Sequence, residues 1–471
     1  MRTVIRNGCL SVRNGHLFVE EVDCVELIER FGSPLFVVSE AQLRRNIRRF
    51  QQTFARHWPE GRIVVMPSIK ASPIIALQHI LNSEGAGCDV FGPGELEIAL
   101  RAEVPPEMIS VNGSIKDRDL IRTAIAHETR IVLDSPREME LCEAVAAELG
   151  KTAKVLFRLK PYLANLDDMS DYAPDYDIRF MTQIIKYGIP KSELLAMAKA
   201  VGQCHHLDPI GIHVHMGRHS KRARVWQAWT AATVALTAEL AAVLGGGWQP
   251  QVINLGGGFP SGPDDDTDVT IKGYAGPPLD ELAEVITSTL RQGLAENGLR
   301  AEGLRLEFEP GRAIHCDTGL HLTTVRNIKR EQDNLEYAWI EIDTSQCFLG
   351  VGGANFAAPK FDLVCASGVD RPASGQADVV GMTCNLEILY YQVPLPEVSV
   401  GDVFALLNTG SYIETCAQNF NALPRPAVAL VNGGQCDLIK RAETIDDVLA
   451  CNMLPERFAA QSVPQSQRAA T

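Results

Sequence analysis

The 471-residue sequence predicts an α/β fold, a (β/α)8 TIM-like barrel followed by a mostly β C-terminal domain. Three observations carry that prediction. From about residue 60, short apolar runs rich in β-branched residues alternate with longer segments of helical spacing. Eight such runs fit into about 250 residues, the scale of a barrel, although periodicity alone also admits a doubly wound sheet. After "EPGR" (309–312) the rhythm changes to short alternating strands with few helical runs.

Taken in order, the barrel strands are "RIVVMPSIK" (62–70), "GCDVFG" (87–92), "MISVNG" (108–113), "RIVLDS" (130–135), "KVLFRLK" (154–160), "PIGIHVHMG" (209–217), "QVINLGGG" (251–258) and "RLEFEPG" (305–311). Between them, "PIIALQHILNSEG", "GELEIALRA", "PREMELCEAVAAELG" and "ARVWQAWTAATVALTAELAAVLGGG" place apolar residues at i, i+3 and i+4, with glycine near several ends. The later strands are "HLTTVRNIKR", "YAWIEID", "DVVGMTC", "DVFALLN" and "PAVALVN". The expected organisation is an N-terminal segment (1–35) joining the β domain, a barrel (36–312), a C-terminal β domain (313–456) and a flexible tail (457–471). Two loop-like inserts interrupt the barrel, "YLANLDDMSDYAPDYDIRF" and "SGPDDDTD", and neither has the spacing of a metal loop.

Forty-four Lys and Arg against 58 Asp and Glu leave a net charge of −14, a field that repels phosphate backbones and anionic membranes. Nucleic acid and membrane are therefore not expected partners. Twelve cysteines without one C-x-x-C pair suit reduced thiols in a cytoplasmic enzyme. The N-terminus has no apolar signal core, and no later stretch offers the roughly 20 uninterrupted apolar residues of a membrane span.

Functional groups of a barrel cluster at the C-terminal ends of its strands. Those ends supply Lys70, Asp89, Asn112, Asp134, Arg158, His215, Gly256 to Gly258, and Glu309 with Arg312. Most lysines are solvated, but Lys70 follows a buried run on the functional face. Desolvation there lowers its pKa and makes it a good imine-forming amine, which calls for an aldehyde. "NLGGGFP" lets backbone N–H groups approach an anion without Cβ interference. "EPGR" adds Gly311 and a guanidinium suited to bidentate phosphate contacts. Lysine, phosphate cradle and carboxylate together describe a site for pyridoxal 5'-phosphate (PLP), with Glu309 on the pyridine nitrogen. In "HVH" the two histidines share a strand face, but no third metal ligand is evident, so no metal is expected.

The ordered set "FGSPLFVVSEAQLRRN", "SIKASP", "GCDVFGPGELEIAL", "VNGSIK", "LDSPREMEL", "KYGI", "GIHVHMG", "NLGGGFP", "EPGR", "GMTC" and "GSYIETCAQNFN" resembles the fold-type III PLP-dependent decarboxylases, the diaminopimelate, ornithine and arginine decarboxylase family, over nearly the whole chain. The resemblance implies an alanine racemase-like barrel in which Lys70 carries the cofactor, His215 stacks on its ring and Glu309 pairs with its nitrogen. It implies phosphate contacts from Gly256, Gly257, Gly258, Gly311, Arg312 and Tyr412, and a polar network of Asp89, Glu95 and Arg158. It also implies a homodimer with shared active sites, in which Cys384 of "GMTC" reaches the neighbouring subunit's site and reprotonates Cα. A racemase would instead put an arginine at the pyridine nitrogen.

Three departures bear on the substrate. Asn385 stands where members acting on basic amino acids carry Asp or Glu; "DTSQCFLGVGGANFAAPKF" lacks the arginine that diaminopimelate enzymes place there; and Arg218 of "HMGR" replaces a small hydroxyl residue. The expectation from these is a specialised decarboxylase for a carboxylate-bearing or conjugated amino acid, as in siderophore or other secondary metabolism, with Arg218 and Asn385 as substrate contacts. The alternatives are a diaminopimelate or a basic amino acid decarboxylase and, in another class, a catalytically silent regulatory homologue.

Overall fold

The computed structural model describes residues 8–163, 184–215, 222–261, 277–333, 336–350 and 361–459. All eight barrel strands form where the apolar runs lie: Arg62–Val65, Cys88–Val90, Ile109–Val111, Arg130–Leu133, Ala153–Arg158, Leu207–His213, Val252–Asn254 and Arg305–Phe308. The ladders that join them are parallel, and the sheet runs in the order first, eighth, seventh, and so on down to second. The remaining seam, between the first and second strands, is closed by one parallel bridge, Ser68 with Asp89. Two backbone hydrogen bonds support it, Gly87 N–H to Val65 C=O (2.9 Å) and Asp89 N–H to Pro67 C=O (3.2 Å).

Period-two alternation explains how the same short strands build both a core and a site. Residues such as Ile131, Leu133, Val155, Phe157, Ile212 and Ile253 join the buried layer between strands and helices. Val132, Leu156, Ile210 and Val252 form a separate small apolar cluster. At neighbouring positions of the same strands lie buried polar residues, Arg130, Arg158, His213, Asn254, Glu307 and Glu309.

Helix ends follow local chemistry. In Pro136–Leu149, Ser135 caps the start by accepting from the Glu138 N–H, proline occupies the first turn, and Gly150 ends the helix in the left-handed region. Helix Ala223–Leu244 passes a length-and-composition test for a membrane span, although Arg224, Gln227 and Glu239 interrupt its apolar run as the sequence reading has it. In this fold it packs against Lys191–Val201 and Leu279–Glu296 and buries Val225, Trp226, Trp229 and Leu240.

The second sheet has nine strands. Strand Leu35–Ser39 lies inside it, antiparallel to Gly319–Glu331 and parallel to Ala427–Asn432. Leu363–Cys365, Ile388–Leu395 and Gln435–Lys440 also belong to it and were not predicted. The strand Gly375–Val380 stops before "GMTC", which falls in a turn because the Gly381 and Thr383 N–H groups bond to Glu387 instead of a neighbouring strand. One loop of this domain reaches the barrel mouth: the Tyr412 N–H donates to the Ala71 carbonyl (2.8 Å), with Tyr412 held at φ 62°.

Candidate active site

The first barrel strand ends at Val65, and Lys70 sits beyond it in a 3-10 turn, Ile69–Ala71, rather than on the strand itself. Its ammonium is 2.6 Å from Asp89 Oδ2 and donates to Ser68 Oγ at 3.0 Å. Ser68 also donates to Asp89 (2.7 Å), so the residues that close the barrel seam are the ones that hold the lysine. Burial alone would lower the Lys70 pKa, but the Asp89 carboxylate, with Tyr412 and Glu309, outweighs it and holds the ammonium above its ordinary value. The sequence-based expectation of a lowered pKa is thus reversed, because desolvation was considered without the carboxylate across the seam. Asp89 is held below the usual carboxylate range: its burial is overcome by Lys70, Ser68 and Asn112.

Glu309 is 1 % exposed and held from three strands. Asn112 donates to Oε1 at 3.1 Å, Asn254 donates to the same oxygen at 2.8 Å, and His213 Nε2 is 3.1 Å from Oε2. Asn112 also donates to Asp89 at 2.5 Å, which links the two carboxylates. Below them Asn254 donates to Glu307 (3.1 Å), itself paired with the buried Arg130 at 2.9 and 2.7 Å.

Gly256 and Gly258 have φ of 69° and 96°, the left-handed region that glycine enters freely. A Cβ on Gly257 would collide with the Glu309 carbonyl and would face His215 Nε2 at 3.8 Å. Gly311 is held against the Tyr412 hydroxyl in the same way, and Arg312 lies 5.1 Å over the Tyr412 ring. Burial raises the Tyr412 pKa. His215 is pushed well down by burial, Lys70 and Arg158, so its ring is neutral. Glu95 accepts from the Phe91 N–H at 2.7 Å, and burial followed by Asp89 raises its pKa.

A cavity of about 220 Å³ opens over this assembly, lined among others by Lys70, Asp89, Asn112, Arg158, His215 and Glu309. Cys384 and Asn385 do not line it. They lie in the second domain, where Cys384 is exposed and bonds to Asn421 through its N–H (3.2 Å) and Sγ (3.4 Å). Arg218 lies outside the described residues. His213, Asn254, Lys160, Tyr187 and Trp229 were not predicted, nor was any role for Asn112. The inward positions of the alternating "VLFRLK", "IHVH" and "VINLG" would have pointed to the first three. Among the described residues no group of three or more His, Cys, Asp or Glu is arranged to hold a metal.

The residues present fit a phosphorylated pyridine aldehyde: an amine and a rigidly held acceptor line one cavity, beside a glycine turn whose backbone tolerates no Cβ. The model for the pyridoxal binding domain of pyridoxal-dependent decarboxylases matches residues 40–316. This chain belongs to the pyridoxal-dependent decarboxylase family. It is an enzyme, a PLP-dependent amino acid decarboxylase, with the alanine racemase-like barrel and β domain of that family. A diaminopimelate decarboxylase of Methanothermobacter thermautotrophicus is 28 % identical over 94 % of this chain and 97 % of its own. That of Bacillus subtilis is 27 % identical over 94 % and 96 %. The crystal structure of the M. jannaschii diaminopimelate decarboxylase superposes with a TM-score of 0.83 at 27 % identity, covering 96 % of this chain and 99 % of that one. The same protein has been solved in co-complex with L-lysine.

Proposed function

We propose that this decarboxylase acts on diaminopimelate, removing one carboxylate as CO2 and retaining the other. The observation that carries this reading is the end-to-end similarity to diaminopimelate decarboxylases from several organisms, at 26–28 % identity over 90 % or more of the chain. It displaces the specialised siderophore-type substrate expected from Asn385 and the arginine-free stretch. Those departures favour a second reading only in part: a different amino acid that also keeps a carboxylate.

PLP, when bound, supplies an electron sink for the carbanion left when a bond at Cα breaks. In this reading Lys70 carries it, and Glu309, oriented by Asn112, Asn254 and His213, faces its ring nitrogen. Gly256, Gly257, Gly258, Gly311, Arg312 and Tyr412 hold the phosphate, and the neutral His215 packs on the ring. Asp89 keeps the Lys70 amine aimed at the cavity, with Arg158 beside it. Cys384, with Asn385 next to it, completes the site of a neighbouring subunit in a homodimer and returns a proton to Cα. The exposure of Cys384 away from its own chain's cavity supports that arrangement. Twelve free cysteines suit a reducing cytoplasm.

The test is release of CO2 by the PLP-loaded enzyme from meso-diaminopimelate, lysine, ornithine and arginine. Preferred turnover of meso-diaminopimelate is expected. Preference for lysine or ornithine, or no turnover of any of the four, would overturn the reading.

A further inference from the structure

Beside Arg158, which the reading above places near the cofactor, the cavity wall carries a cation with no role so far, Lys160. Lys70 is paired with Asp89, and Glu309 is engaged by Asn112, Asn254 and His213. Two further cations line the same space from the end of the fifth strand, Arg158 and Lys160. Arg158 is 5 % exposed, and its Cζ lies 4.8 Å over the centre of the Tyr187 ring. The Lys160 ammonium donates to the Ile185 carbonyl. Neither forms an ion pair with a carboxylate among the described residues. The charge that faces Lys160 is Asp134, whose Oδ1 is taken by the Gly188 N–H (2.7 Å) and whose buried Oδ2 has no hydrogen bond.

A buried guanidinium beside a partly buried ammonium, neither bonded to a carboxylate among the described residues, is stabilised when an anion joins them in the working complex. The cofactor's phosphate is not that anion: its glycine turn follows the seventh strand and Arg312 the eighth, and the sixth strand lies between the fifth and the seventh. Nor is a carboxylate about to leave as CO2 well served there. Pairing it with cations stabilises it before the bond breaks and slows its loss. The charge suits an anionic group that the substrate keeps.

We infer that Lys160, with Arg158 beside it, is the specificity-determining contact for a retained carboxylate on the substrate. This rests on the proposed function only for the identity of that substrate, since any amino acid with a second carboxylate meets the same chemistry. Lys160 is a substrate contact in this account, and its loss raises KM more than it lowers kcat.

The experiment uses the PLP-loaded enzyme with Lys160→Met, Lys160→Gln and Lys160→Arg. Two quantities are read: the ratio of kcat/KM for meso-diaminopimelate over L-lysine, and the affinity for pimelate, a dicarboxylate without amino groups, by calorimetry. Losing a charge-assisted hydrogen bond predicts a fall of about tenfold or more in both for Met and Gln, with Arg restoring most of it. Unchanged values in the neutral variants, with only a lowered melting temperature, would make Lys160 the counter-ion of Asp134 and overturn the inference. If the wild type prefers L-lysine, the diaminopimelate reading falls while pimelate binding still decides the role of Lys160. If Met fails to fold, Gln carries the same comparison.

Discussion

Asn254 donates a 2.8 Å hydrogen bond to Glu309 Oε1 while its own Oδ1 accepts the Gly256 N–H at 2.8 Å. One side chain therefore fixes both the acceptor and the start of the glycine turn beside it. Asn254→Asp keeps the acceptor for Gly256 but loses the donation to Glu309 and Glu307. It is expected to weaken PLP and unphosphorylated pyridoxal by similar factors, about tenfold for one lost hydrogen bond to a charged group. Asn254→Ala loses both contacts and is expected to weaken PLP more than pyridoxal. Fluorescence titration of cofactor-free protein checks the ratio.

The Lys70–Asp89 pair sets a pH dependence in the cofactor-free protein. The folded pKa of Asp89 is depressed, so its stabilisation is fully present above the unfolded value of about 3.9 and is lost as pH falls through the lower folded one. Lys70 is raised, so its part is present below about 10.4 and disappears only above that. Wild type is therefore expected to exceed Asp89→Asn in stability between these limits, with the gap closing below about pH 4. Urea unfolding across pH measures it; a gap independent of pH would refute the ion pair.

Gly257→Ala forces a methyl group against the Glu309 carbonyl. The expected cost is about 1–3 kcal/mol, from overpacking a rigid site. Because the backbone that must move carries Glu309, PLP affinity is expected to fall about tenfold or more, whereas Gly15→Ala, another glycine of positive φ in a turn of the N-terminal segment, leaves affinity unchanged. Equilibrium dialysis of PLP separates the two.

Lys70→Ala and Cys384→Ala are each expected to abolish or sharply reduce turnover, and Lys70→Ala also to remove the visible absorbance of bound PLP. If Cys384 serves the neighbouring subunit, mixing the two inactive proteins restores part of the activity. Each mixed pair then holds one site with both groups intact. No recovery on mixing, with dimers shown to exchange, would place Cys384 outside the site.

Strand positions were legible because eight β-branched runs alternated with segments of helical spacing, several ended by glycine, and Lys70, Asp89 and Glu309 stood out as charges at the ends of apolar runs. The protonation of Lys70 was not legible. It depends on Asp89, 19 residues away, meeting it across the barrel seam. His213 was passed over for His215, since sequence alone does not say which of two same-face histidines reaches a carboxylate on the eighth strand. Nothing in the sequence sets Lys160 apart from other lysines; its place in one cavity wall with Arg158 and Tyr187 does.

The bridge between Ser68 and Asp89 gives the barrel an asymmetry of fastening. Seven joins are strand ladders, while the eighth is a single bridge with two supporting amides, and it carries the amine on which the cofactor depends. Opening the wall there would separate Lys70 from its counter-ion Asp89, so the pairing that aims the amine and the closure of the cylinder are one linked equilibrium.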